Sequence, residues 1–186
     1  MVVRSVVLIL TVALLALASP VHANLITNPG FETGNFNGWI QFGNPGFTFV
    51  DGDPHSGSSA AWLGPVGSLG FLLQLVPTTP GVLYNLSYFL QSDGFTPNEF
   101  QVSWNGTSLS DQLNLPAFGY TEQAFSNLLA TTATTPLVFA FRNDPGFFKL
   151  DDVAVSPVPE PATMVLLGTA MAGLGLATRR KRSRDS

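Results

Sequence analysis

Residues 84 to 91 alternate. Tyr84, Leu86, Tyr88 and Leu90 fall on one side of an extended strand and Asn85, Ser87 and Gln91 on the other, where Phe89 is the exception. Phe100, Val102 and Trp104 alternate with Gln101 and Ser103, and Asn105-Gly106 then reads as a hairpin turn. Shorter strands are predicted at Phe47–Val50, Ser59–Leu63, Phe71–Val76, Tyr120–Phe125, Leu137–Arg142 and Phe147–Val155. From Asn24 onward no stretch holds an amphipathic helical period. Eight or nine short strands at this spacing predict an all-β fold, a β-sandwich of jelly-roll type. By parity, Trp104, Tyr84 and Tyr88 belong to its core.

Two details refine the pattern. Asn28-Pro29-Gly30-Phe31, Asn44-Pro45-Gly46-Phe47 and Asp144-Pro145-Gly146-Phe147 repeat one phrase. Pro then Gly suits a type II turn, with Gly at the positive-φ position, so the phrase reads as turn chemistry used three times. In the last strand Phe148 and Leu150 share one parity, and Val153 and Val155 the other. If both pairs point inward, Asp151-Asp152 must sit at a bulge or bend.

The ends of the chain differ from its middle. Met1 to Ala23 reads as a secretory signal peptide helix, with Arg4 before an apolar core from Val6 to Ala18 and a small-x-small site at Val21-His22-Ala23. The expected partners are the secretion translocon and signal peptidase. The tail, residues 158–186, opens on Val158-Pro159-Glu160-Pro161, continues through the uncharged run Ala162 to Thr178, and closes with Arg179, Arg180, Lys181 and Arg182 in a basic end, 179–186. As a helix, those 17 uncharged residues span roughly 25 Å, against a bilayer core of about 30 Å. The run is a marginal, Gly/Ala-rich transmembrane helix, with the basic end cytoplasmic and the domain outside.

This tail resembles the PEP-CTERM sorting signal of Gram-negative bacteria. Pro159, Glu160 and Pro161 match its motif, and Arg179, Arg180, Lys181 and Arg182 its basic end. The resemblance implies recognition by exosortase, a membrane-embedded cysteine protease-transpeptidase. The inner membrane would hold the chain transiently, cleavage would fall near the motif, and the cargo would reach the cell surface or the extracellular space, usually beside exopolysaccharide. An ordinary single-pass anchor behind a proline-rich hinge is the alternative.

Charge separates the domain from its flanks. Of eight Lys and Arg, only Arg142 and Lys149 lie between Asn24 and Pro157, against ten of the twelve acids, a net of −8. Such a domain repels nucleic acid, which is not expected as a partner. Without cysteine there are no disulfides, thiol catalysis or cysteine metal sites. All 21 aromatic residues lie between Phe31 and Phe148, enough for a core. The expected organisation is a signal peptide (1–23), a jelly-roll domain (24–157) and a sorting tail (158–186).

The domain resembles the galactose-binding-like jelly roll of carbohydrate-binding modules. Asn28-Pro29-Gly30-Phe31-Glu32, Gly38-Trp39, Asp53-Pro54-His55-Ser56-Gly57-Ser58, Gln74, Pro80-Gly81, Tyr84-Asn85-Leu86-Ser87 and Leu150-Asp151-Asp152-Val153 carry the resemblance by order and spacing. It implies a structural Ca²⁺ at Glu32, the Asp51 to Ser56 loop with Asp53, and Asp151, a set of hard oxygen donors. The same carboxylates also suit turn caps. For a glycan, Phe89 is the outward aromatic platform and Gln101 a hydrogen-bonding partner. Catalysis finds less: His55 is isolated in a Gly/Ser-rich loop, and paired carboxylates would have to face each other across a cleft. The expectation is a non-enzymatic, exported surface or matrix protein associated with exopolysaccharide. A specific glycan-binding module and, more distantly, a glycoside hydrolase are the alternatives.

Overall fold

The computed structural model describes residues 23–159. Residues 1–22 of the expected signal peptide, Glu160 and Pro161, the apolar run 162–178 and the basic end with Arg179, Arg180, Lys181 and Arg182 lie outside the described residues.

Ten strands follow one another: β1 Ile40–Gly43, β2 Thr48–Asp51, β3 Ala60–Leu63, β4 Gly70–Pro77, β5 Leu83–Ser92, β6 Asn98–Trp104, β7 Thr107–Leu113, β8 Phe118–Leu129, β9 Thr134–Asn143 and β10 Phe148–Pro157. They form two five-stranded sheets, ordered β1-β4-β9-β6-β7 and β2-β3-β10-β5-β8. Every pairing is antiparallel, and the sheets pack as a jelly-roll sandwich. The period-2 patterns explain which side chains meet. Tyr84, Leu86, Tyr88 and Leu90 of β5 face Phe100, Val102 and Trp104 of β6 and Leu137, Phe139 and Phe141 of β9, all nearly or fully buried. Phe139 is the hub, with ring centroids 5.1 Å from Tyr88, 6.0 Å from Phe100 and 6.0 Å from Trp39. Gln74, the one polar residue on the inner side of β4, is satisfied by both backbone groups of Thr27, at 2.7 and 3.0 Å, which ties the N-terminal segment to the first sheet.

Two strands go beyond those predicted, β1 and β7. All four residues of β1 are exposed, so no apolar alternation marks it. The type II turns are corrected. Positive φ falls on the phenylalanines after two of the glycines, Phe31 (57°) and Phe47 (54°), and the third phrase carries a cis Asp144–Pro145 peptide. The glycines serve close approach instead. A Cβ at Gly146 would collide with the carboxylate of Asp93, which accepts the Phe147 N–H at 2.5 Å.

Candidate functional site

β10 changes faces midway, as its sequence parity requires. Leu150 pairs with Leu90 and Asp151 with Phe89, but the next pair is Ala154 with Ser87, one extra residue on β10. Asp152 takes the strain at φ 49°. Phe148, Leu150, Val153 and Val155 all remain fully buried. The bulge also brings both adjacent carboxylates to one loop, Gly52–Ser59, which folds over the outer side of the second sheet. Asp151 is fully buried and accepts the N–H groups of His55 (2.7 Å), Ser56 (3.1 Å) and Asp152 (2.7 Å). Asp152 takes the His55 ring through Nδ1 at 2.7 Å and the Ser56 hydroxyl at 2.8 Å. Glu32 holds the next turn, accepting from Ser58 N–H at 2.9 and 3.0 Å and from Ser59 N–H at 3.2 Å. Gly57 sits at φ +71° against that carboxylate, where a Cβ would collide.

The rings of this loop are equally committed. His55 lies flat on Phe89, centroids 3.5 Å apart at 11°, with Tyr120 edge-on at 5.6 Å. The Tyr120 hydroxyl donates to the Asp53 carbonyl at 2.9 Å. Lys149 pairs with Asp53, its ammonium 4.0 Å above the Trp62 ring. Burial pushes the Asp151 carboxyl above the usual carboxylate range; the amides of Ser56, Asp152 and His55 oppose the shift and the Asp152 charge adds to it. Tyr120 is raised by burial and then by the charges of Asp151, Asp53 and Asp152. Ser56 donates to Asp152, so the carboxylate stands between the hydroxyl and the imidazole. A hydroxyl activated by histidine needs the imidazole in that middle place.

The donor set at the loop fits a hard cation in part. Glu32 and Asp151 flank Gly30, whose added Cβ would lie 3.3 Å from Asp151 Oδ1 and 3.7 Å from Glu32 Cγ. Asp53 does not join them, because its carboxylate takes Lys149. Among the described residues no three His, Asp or Glu side chains gather as a metal cluster, so a Ca²⁺ here would draw its further oxygens from backbone carbonyls.

The outer side of the first sheet is built differently. Ladder register sets Phe42, Phe71, Ala140, Gln101 and Asp111 in one row across all five strands. At about 4.8 Å per strand the row is roughly 19 Å wide. Phe42 and Phe71 stack at 4.6 Å and 6°, with Phe42 43% exposed. Ala140 comes next in the row and is itself buried, 4% exposed. Gln101 follows, its amide donating to Glu99 at 2.5 Å. An apolar ring surface next to amide and carboxylate groups matches a ligand with one C–H face and several hydroxyls.

Of the residues singled out in the sequence, Glu32 and Asp151 come together, and Asp53 turns away to Lys149. Phe89 and Gln101 lie on opposite sheets, Phe89 covered by His55 and Gln101 on the open face. Pro159 ends the described chain. Phe42 and Phe71 went unrecognised. In Phe71-Leu72-Leu73-Gln74-Leu75 a nearly continuous apolar run hides the alternation, in which Leu72 and Gln74 face inward.

A family profile describing the PEP-CTERM protein-sorting motif matches residues 157–181. No curated protein matches the chain. Among solved structures, TmCBM61 in complex with β-1,4-galactotriose is similar at TM-score 0.58 and 20% identity, over 73% of this chain and 99% of that one. The CBM22-1 xylan-binding domain of Paenibacillus barcinonensis Xyn10C aligns at TM-score 0.52 and 15% identity, over 77% and 100%. The K3 cleaved adhesin domain of Lys-gingipain from Porphyromonas gingivalis aligns at 0.55 and 13%, over 72% and 99%. At these identities the likeness establishes the jelly-roll fold of carbohydrate-binding modules. The tail carries the sorting motif.

Proposed function

We propose that this chain is an exported, non-enzymatic surface protein that binds a neutral glycan on the outer face of its first sheet. The observation that carries the reading is the stacked Phe42–Phe71 pair set in register with Gln101. Hydroxyls facing Gln101, Glu99 and Asp111 fix the ligand's orientation, and its C–H face lies on the rings. That the similar structures include a β-1,4-galactotriose complex and a xylan-binding domain supports a β-linked glycan. The sorting motif supports export, anchoring through residues 162–178, release by exosortase, and residence at the cell surface or in an exopolysaccharide matrix. A Ca²⁺ at Glu32 and Asp151 would neutralise a buried carboxylate and fasten the Gly52–Ser59 loop.

The test is a glycan array of the purified protein with Ca²⁺ or EDTA. Retention on at least one neutral glycan, abolished in Phe71→Ala, is expected. Silence on every glycan would reject the binding reading and leave a structural surface protein. Mass spectrometry of protein from an exosortase-bearing host should find a terminus near Pro159; an intact Ser186 would reject processing.

A further inference from the structure

All ten acids and both bases of the domain lie in one half of the sandwich, from the β10 bulge toward the β9–β10 turn. The opposite end carries no charged residue in any of its segments: the turn after β4 (residues 78–82), Asn105-Gly106 after β6, residues 130–133 after β8, and the end of β10. Its backbone is internally paired. Val158 N–H donates to Leu83 C=O at 2.8 Å, Gly81 N–H to Ala130 C=O at 2.8 Å, Ala130 N–H to Val82 C=O at 3.1 Å and Thr78 N–H to Ala133 C=O at 2.9 Å. The same end exposes large apolar side chains: Leu83 and Leu129, a cross-strand pair, are 39% and 49% exposed, and Leu75 is 55% exposed. A cavity of about 320 Å³ opens there, lined by Trp104, Leu109 and Leu128 among others.

Polar backbone already paired, no charge to desolvate and exposed leucines together describe a surface that enters a low-dielectric interface at little cost. Only residues 158–161, with Glu160 the one charge among them, separate β10 from the membrane-length run at 162, a reach of at most about 14 Å. We infer that this uncharged end is a lipid-contacting surface, seated in the interfacial zone of the bilayer while the chain is anchored, with Leu83 and Leu129 turned to the acyl boundary. The acidic half faces away from the lipid. The inference rests on reading residues 162–178 as a membrane anchor.

The chain has no cysteine, so one introduced thiol gives a unique label. Full-length protein is reconstituted in phosphatidylcholine vesicles, with an environment-sensitive fluorophore on Thr79→Cys at the uncharged end or on Val66→Cys at the other. Brominated lipid should quench the Thr79 label at least about twofold more than the Val66 label, the contrast expected of a group within 5 to 10 Å of the acyl boundary. Leu83→Glu with Leu129→Glu should erase the difference while near-UV circular dichroism stays unchanged. A flexible linker of about twenty residues inserted after Pro159 separates attraction from tethering. Quenching that survives the insertion supports the contact. Quenching lost on insertion, or equal at both labels, overturns it. Failure of the full chain to float with vesicles would instead reject the anchor, and the lipid contact with it.

Discussion

The two outer faces of this sandwich use similar residues to opposite ends. On the second sheet Asp151, Asp152, His55, Phe89 and Tyr120 are satisfied by one another and by the backbone of a single loop. On the first sheet Phe42 and Phe71 touch each other and leave ring surface open, and among the described residues Gln101 has only Glu99 as a side-chain partner. Acidic and aromatic residues therefore do not mark a binding site by type. What separates the faces is whether a covering segment has already taken their hydrogen-bonding and stacking capacity. Substitutions should follow that division, costing stability on the second sheet and affinity on the first.

The largest effect is expected at Asp151. Asp151→Ala leaves three amide donors without an acceptor beneath the loop and should lower unfolding free energy by roughly 3 to 5 kcal/mol in urea titration. A loss below about 1 kcal/mol would mean the loop is not held by this carboxylate. The same group gives a pH test. Its folded pKa stands above its unfolded value, so the folded state keeps the proton to higher pH. The stability this adds is full below the unfolded pKa and is lost as pH rises through the folded pKa. In EDTA, stability relative to Asp151→Asn should therefore fall as pH rises out of the carboxylate range toward neutrality. Bound Ca²⁺ favours the ionised form and should reverse that slope. Equal slopes in EDTA and Ca²⁺ would reject the cation.

Phe71→Ala comes next and moves the other quantity. Removing half of an aromatic platform should weaken glycan affinity about 30-fold, near 2 kcal/mol. Thermal stability should change much less than for Asp151→Ala, since the ring is already half-buried on an outer face. Full-strength binding in this variant would take the site off the first sheet. Gln101→Ala should cost about 1 kcal/mol of affinity, one hydrogen-bonding group at the far side of the row, with unfolding unchanged.

Much of this architecture was legible because the strands that build the core alternate cleanly. β5 and β6 place Tyr84, Leu86, Tyr88, Phe100, Val102 and Trp104 inward as their parity requires, and the parity break at Asp151-Asp152 is the bulge. The strands missed had no such signal. β1 is exposed along its whole length, and β7 lies at the sheet edge, where neither face is fully covered. The open face was half legible. Gln101 follows from alternation within β6, but its aromatic neighbours come from β1 and β4, and only the ladder order brings them alongside. Phe89 shows the same limit from the other side. Parity correctly turns it outward, yet parity carries no information about a distant loop that lays His55 over it. The third limit is chemical: Asp53 was a candidate cation ligand beside Asp151, though a weaker one because the resembled site draws partly on backbone carbonyls, and residue type could not show that Lys149 takes its carboxylate.

The smallest expected effect on affinity is therefore at Phe89, and it tests the division between the faces most directly. The ring stacks on His55, which Tyr120 meets edge-on, so Phe89→Ala removes one aromatic contact of the loop without unsatisfying a carboxylate. A loss of about 1 kcal/mol of stability follows, the scale of a single stacked pair. Glycan affinity should stay within about twofold, well under the change expected at Phe71. A comparable drop in affinity would mean that the loop swings off Phe89 and opens the second sheet to ligand. In that case Phe89→Ala and His55→Ala should change affinity together, with Phe71→Ala neutral.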